Sequence, residues 1–309
     1  MIESQAPTKY LMRMPHPNSS SQSPSEIVCT EQLCRFDSGE RFVRSWRPQD
    51  TAVSSDHIST VLAVVHGLGD HSGRFDEMAR WFAERGVHVY ALDLLGHGNS
   101  PGDRMVIPSY EALLHDVENF VDYVQRRHEH SPLGLFGQSM GGNLVLNHQL
   151  RGYSRTAYVI AGSPMLRSAN QPGAISMFFL RMLSQVCPNI KINGNVNSSE
   201  LSRDPEMQQA FQEDPLVQHG ITLKLGRVLI DSGEWALQSA HQIPTTALLT
   251  HGSEDRITCH QASIEFAERS QGMATTKIWP GGKHDLHHDT ARDEYFASML
   301  AWIREIDVV

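Results

Sequence analysis

Cysteine is scarce in this chain: four among 309 residues, Cys29, Cys34, Cys187 and Cys259. They form neither metal-type pairs nor the dense framework of a disulfide scaffold, so a reducing, cytoplasmic setting is the expectation. Positive charge is also short. Lys and Arg number 26 against 35 Asp and Glu, a formal net charge of −9. No basic stripe is present to neutralise phosphates, which argues against nucleic acid as a partner. Apolar runs long enough to span a bilayer are missing, and so is the uninterrupted apolar segment of a secretory signal. What remains is 40% hydrophobic and 20% charged. That is the balance of a globular chain long enough for one large α/β domain carrying an insertion.

The most informative stretch runs from 133 to 150 and reads LGLFGQSMGGNLVLNHQL. Residues 133–136 are a short apolar run that suits a buried strand, and 143–150 suit a helix with one buried face. Between them stands Gly137-Gln138-Ser139-Met140-Gly141, a G-x-S-x-G where a strand must turn sharply into a helix. In such an elbow the serine is held in a strained conformation that lifts its hydroxyl clear of the sheet. The alternative is a Gly-rich turn whose serine merely caps a helix, so the rest of the chain must decide.

Strand and helix signals alternate around this stretch. Residues 27–36 and 41–46 read as a hairpin turning at Asp37-Ser38-Gly39. Strands are expected at 61–65, 87–92, 157–161, 246–250 and 276–279. Helices are expected at 76–85, 109–127, 260–269 and 290–306, with Ser109 as a cap. Alternation of this kind implies a mostly parallel sheet with helices on both faces and reactive groups at the carboxyl ends of strands. Residues 1–25, rich in Pro and Ser, read as a flexible tail. The domain expectation is therefore a core of 26–164 plus 241–309, interrupted at 165–240 by a helical insertion. Met and Phe in that insertion fit a lipid pocket as well as they fit simple packing.

A serine nucleophile needs a base, and the base needs an orienting acid. In an α/β-hydrolase these follow in the order Ser, acid, His at later strand ends. The loop after 246–250 is His251-Gly252-Ser253-Glu254-Asp255-Arg256, and the loop after 276–279 is Pro280-Gly281-Gly282-Lys283-His284-Asp285. Glu254 and Asp255 compete for the acid, the shorter Asp255 being easier to hold rigidly. Among 17 histidines, His284 follows the Gly-Gly turn directly. His287 and His288, at the entry to the last helix, read as solvated or capping. His66 and His97 read as loop-shaping, and His71 as lining a pocket. The backbone N–H groups of Leu68 and Met140 are the expected oxyanion donors, each typically contributing about 2.7–4 kcal/mol.

The motifs HGLGDHSGRF (66–75), GHGNSPGDR (96–104), GQSMGG (137–142), DPLV (214–217), HGSEDRIT (251–258) and GGKHD (281–285) together name a family. From about residue 35 to 306 the chain resembles the monoacylglycerol lipase and lysophospholipase branch of the α/β-hydrolases. That resemblance implies Ser139, Asp255 and His284 as the catalytic set, and it selects Asp255 over Glu254. It also implies oxyanion donors at Leu68 and Met140, a cap over 165–240, and no metal or organic cofactor. Two departures stand out: Asp70 replaces the family's usual glutamate, and Thr258 stands where some members carry a cysteine. The expectation is a serine ester hydrolase acting on a single-chain lipid, with reversible contact between cap and membrane surface. The rival expectations are a short-chain carboxylesterase, an aminopeptidase-type hydrolase, or a binding module without activity.

Overall fold

The computed structural model describes residues 27–48, 60–171, 173–192 and 196–306; the expected tail, 1–25, lies outside them. Strands β1 (Ile27–Phe36) and β2 (Gly39–Pro48) form the hairpin, antiparallel with Phe36 opposite Gly39. Gly39 sits at φ +112°, a conformation the tight turn needs and other residues avoid. Next come β3 (Val61–Val65), α1 (Asp76–Ala83), β4 (His88–Leu92) and α2 (Tyr110–Gln125). After them follow β5 (Leu133–Gln138), α3 (Met140–Leu150) and β6 (Tyr158–Gly162).

Helix α2 shows why such segments form. The Ser109 hydroxyl accepts from the Ala112 N–H at 3.1 Å, capping the first turn. Leu113, Val117, Phe120 and Val124 then repeat at helical spacing and are all buried. Full burial of each such side chain contributes about 1.5–3 kcal/mol. The same helix meets the hairpin through a buried pair in which Arg41 donates to both oxygens of Asp116, at 2.9 and 2.7 Å.

The chain ends in β9 (Ala247–Gly252), α8 (His260–Arg269), β10 (Ala274–Trp279) and α9 (Arg292–Glu305). The main sheet has the order β1-β2-β4-β3-β5-β6-β9-β10. Pairing is parallel from β4 onward and antiparallel only along the β1-β2-β4 edge. One apolar layer packs α2, α3 and α8 against one face of the sheet. A second, with Phe82, Phe136, Phe296 and Ile303, packs α1 and α9 against the other. This is an α/β-hydrolase architecture.

Between β6 and β9 the alternation gives way to α4 (Ala174–Val186), α5 (Ser198–Leu201), α6 (Pro205–Glu213) and α7 (Leu223–Ser239). The segment also holds two short antiparallel strands, β7 (Lys191–Ile192) and β8 (Ile221–Thr222), which its helical spacing did not signal. Helix α7 is anchored by Leu225, Leu229 and Leu237, all buried. Helix α4 instead presents Ile175, Phe178, Phe179 and Val186 to solvent, at 75, 64, 50 and 76% exposure.

The start of α3 differs from the sequence expectation. Helix α3 begins at Met140, not at 143. Gly141 and Gly142 have poor helix propensity, but a Cβ on Gly141 would lie 2.1 Å from the Val65 carbonyl oxygen, and one on Gly137 would lie 2.3 Å from that of Gly141. Tight packing of α3 against β3 and β5 demands glycine here and overrides propensity.

Candidate active site

Ser139 joins β5 to α3 at φ 56° and ψ −112°, a backbone region that non-glycine residues seldom occupy. Neighbouring bonds hold it there: its N–H donates to Gly162 O at 2.8 Å and its carbonyl accepts from Met165 N at 2.9 Å. Strain of this kind persists only where the surroundings over-determine it. No side-chain cap bond ties the hydroxyl to the helix. It faces a cavity of about 250 Å³ whose wall also includes Leu68, Met140 and His284.

Asp255 lies in the loop after β9, beneath His284. The His284 Nδ1–H donates to Asp255 Oδ2 at 2.7 Å. Four further donors converge on the same carboxylate. His251 Nε2–H and the Thr258 hydroxyl reach Oδ2 at 3.0 and 2.7 Å. The backbone N–H groups of Ile257 and Thr258 reach Oδ1 at 2.7 and 3.0 Å. Burial alone would raise the Asp255 carboxyl, but the charge of the His284 imidazole and the bonds from both histidines hold it far below the usual carboxylate range. Burial disfavours the imidazolium of His284, yet the Asp255 charge and hydrogen bond, with Asp285 beyond, lift it above its ordinary 6.5.

The His284 carbonyl is fixed as well, accepting from Gln138 Nε2 at 2.9 Å and from the Ser163 hydroxyl at 2.7 Å. With Nδ1 committed to Asp255, Nε2 is left as the free ring position. The described hydrogen bonds include none between Ser139 Oγ and His284, although both line the same cavity. Such contacts often close only around a substrate. Among the described residues, the N–H groups of Leu68 and Met140 likewise donate to no acceptor, and both residues border the space above Ser139.

Glu254 is exposed and turned away, its backbone N–H bonding to Gly282 O at 2.9 Å. His66 and His97 are buried, their rings 5.1 Å apart, and shape the loops after β3 and β4. His66 Nδ1–H donates to Gly67 O at 2.7 Å while Nε2 accepts from Leu94 N at 3.0 Å. Burial pushes His66 down to about 4 and His97 to about 3. His71 does not line the cavity. Its Nε2–H donates to Asp214 Oδ2 at 2.9 Å, tying the loop after β3 to the insertion.

His287 and His288 are neither solvated nor capping, being 1 and 4% exposed. The last helix starts later, at Arg292, and the turn before it folds inward so that His287 stacks on Phe75 at 4.7 Å. With Asp285 they bring three ligating atoms within 4.8 Å of one another. The arrangement does not suit a cation. The Arg74 guanidinium lies 3.0 Å from His288 Nδ1, on the lone pair an ion would need, and His288 Nε2–H is spent on Arg74 O at 2.7 Å.

Sequence reasoning passed over His251, Thr258, Gln138 and Ser163. The one local signal was the spacing of His251 and Asp255 within a six-residue loop; the partners of Gln138 and Ser163 lie more than a hundred positions away.

A family profile described as serine aminopeptidase, S33, matches residues 56–291. Human monoglyceride lipase is 28% identical over 300 residues, covering 94% of this chain and 96% of that protein. An uncharacterized abhydrolase domain-containing protein of Dictyostelium discoideum is 29% identical over 85% of this chain, which spans only 27% of it. Among solved structures, the monoacylglycerol lipase of Paleococcus ferrophilus superposes with a TM-score of 0.74 at 26% identity, covering 87% of this chain and all of that one.

Proposed function

From the premise that the chain belongs to the serine aminopeptidase, S33 family of α/β-hydrolases, we propose that it hydrolyses the acyl ester of a single-chain lipid through an acyl-enzyme at Ser139. The observation that carries this reading is the convergence of Ser139, a base held by Asp255 and two unused backbone N–H groups on one apolar cavity. The monoglyceride lipases among its relatives support the lipid substrate.

Ser139 Oγ attacks the ester carbonyl while His284 Nε2 takes its proton. The N–H groups of Leu68 and Met140 donate to the developing oxyanion. The imidazolium then protonates the departing alcohol. Water, deprotonated by the same nitrogen, releases the fatty acid and regenerates Ser139. Asp255 keeps the imidazole in the tautomer that leaves Nε2 free, and stays ionised throughout.

The cavity wall favours a neutral head group. Met165, Phe211, Ile221 and Leu229 supply an apolar side for an acyl chain, while Asp70 and Asp285 supply carboxylates and no Lys or Arg is among the lining residues. The Asp70 carboxylate is already paired with Arg74 Nε at 3.0 Å, so it is at Asp285 that a phosphate would meet like charge, whereas glycerol hydroxyls find acceptors. This supports a monoacylglycerol over a lysophospholipid. Residues 165–240 act as the cap over this space. No helix among the described residues is long and apolar enough to cross a membrane, but the exposed apolar face of α4 suits shallow docking on a lipid surface.

A fluorophosphonate probe should label the wild type and not Ser139→Ala. Long-chain monoacylglycerol should be cleaved far better than lysophosphatidylcholine or an aminoacyl anilide. Labelling that survives Ser139→Ala would refute the nucleophile, and preference for the anilide would refute the substrate class. Vesicle co-flotation, lost on Phe178→Ser with Phe179→Ser, tests the docking face.

A further inference from the structure

The Asp255 carboxylate serves two imidazoles, and only one of them reaches the cavity. His251, the fifth residue of β9, is fully buried and aims Nε2 at the same Oδ2 that holds His284. On its other side, Nδ1 lies 2.8 Å from the hydroxyl of Ser263 in α8, also fully buried. Chemistry fixes the tautomer. An ionised carboxylate repels a nitrogen lone pair, so Nε2 carries the proton; Nδ1 must then accept, and the Ser263 hydroxyl donates to it. A neutral imidazole is thereby clamped between helix and carboxylate.

We propose that His251 is a positioning residue for the reaction, holding the carboxylate of Asp255 in the rotation and at the basicity that orient His284. This rests on the assignment of Ser139, Asp255 and His284 made above. Neutrality is part of the role. A charged imidazolium at 251 would compete with that of His284 for one carboxylate just when His284 gains its proton. The ionisable groups facing His251 are Asp255, His284 and, from α8, His260 at 6.2 Å between rings. Burial outweighs Asp255 and keeps His251 below its ordinary value.

Removing the Nε2 donor leaves Asp255 more basic, so the imidazolium of His284 is bound more tightly. The acid limb of kcat/KM should then move to higher pH while kcat falls. Two variants separate this from mere packing. In His251→Gln the side-chain amide reaches the place of Nε2 and still donates to Asp255. In His251→Asn it reaches only the place of Nδ1, keeping the polar contact with Ser263 and losing Asp255. The expected result for Asn is a kcat about tenfold lower at unchanged KM, with the acid limb displaced upward. Gln should restore both, and thermal melts report the folding of each variant. Equal impairment of Gln and Asn, or an acid limb that stays at its wild-type position in the Asn variant, would overturn the proposal. Fluorophosphonate labelling of both variants keeps this outcome distinct from a failed nucleophile assignment, in which Ser139→Ala would still be labelled.

Discussion

The side-chain amide of Gln138 donates to the backbone carbonyl of His284 at 2.9 Å, so the residue beside Ser139 also holds the loop that carries His284. The two are 146 positions apart in the chain. Replacing Gln138 by Leu keeps the volume but leaves the His284 carbonyl to Ser163 alone and removes the amide's longer bond to Asp285 Oδ1 at 3.2 Å. One such buried hydrogen bond is worth about 1 kcal/mol, so kcat on a long-chain p-nitrophenyl ester should fall about fivefold with KM little changed. An unaltered kcat would show that Ser163 suffices.

The strained backbone at Ser139 gives a stability test free of the chemistry. Glycine is at ease at φ 56°, whereas alanine is not. Relief of part of the strain should make Ser139→Gly more stable than Ser139→Ala by about 1 kcal/mol, read from denaturant midpoints. Equal midpoints would mean that the elbow stores no strain.

Acidification should unfold the protein through histidines buried in neutral form. His66 and His97 sit at about 4 and about 3 when folded, against 6.5 ordinarily. Their folded values are depressed, so the unfolded state binds the proton more tightly. Stability is therefore whole above 6.5 and declines as pH falls towards 3. His97→Asn, whose amide can still donate to Leu95 O, removes one of these groups. Its melting temperature should fall less steeply than the wild type's between pH 6.5 and 4. Parallel curves would exclude His97 from the acid transition.

Arg41 and Asp116 are not among the residues lining the cavity and test stability alone. Asp116→Ala strands a guanidinium that is 4% exposed. Breaking one side of a buried pair typically costs about 3–5 kcal/mol. A large drop in the urea midpoint is expected, with kcat per folded molecule unchanged.

What could be read from the sequence followed the range of each physical signal. The hairpin at Asp37-Ser38-Gly39, the apolar strands and the buried face of α2 are written in neighbouring residues, and the sheet follows from their alternation. Ser139, Asp255 and His284 stood out as candidates because each sits in a short loop after a strand. Spacing alone left Glu254 and Asp255 open, since which of two adjacent carboxylates turns inward depends on the N–H groups of Ile257 and Thr258. His287 was misread because its burial comes from Phe75, more than two hundred positions earlier. The starting point of α3 was misread because Gly141 answers to β3 and not to its own helix. The β7–β8 pair had no pattern to offer, at two residues each.

The position of β10 at one border of the sheet, beyond β9, has a consequence during synthesis. Ser139 is translated well before His284, and the border strand must dock before the His284 imidazole can reach the cavity that both residues line. On the proposed function, Ser139 would therefore gain its base only after β10 has joined the sheet beside β9.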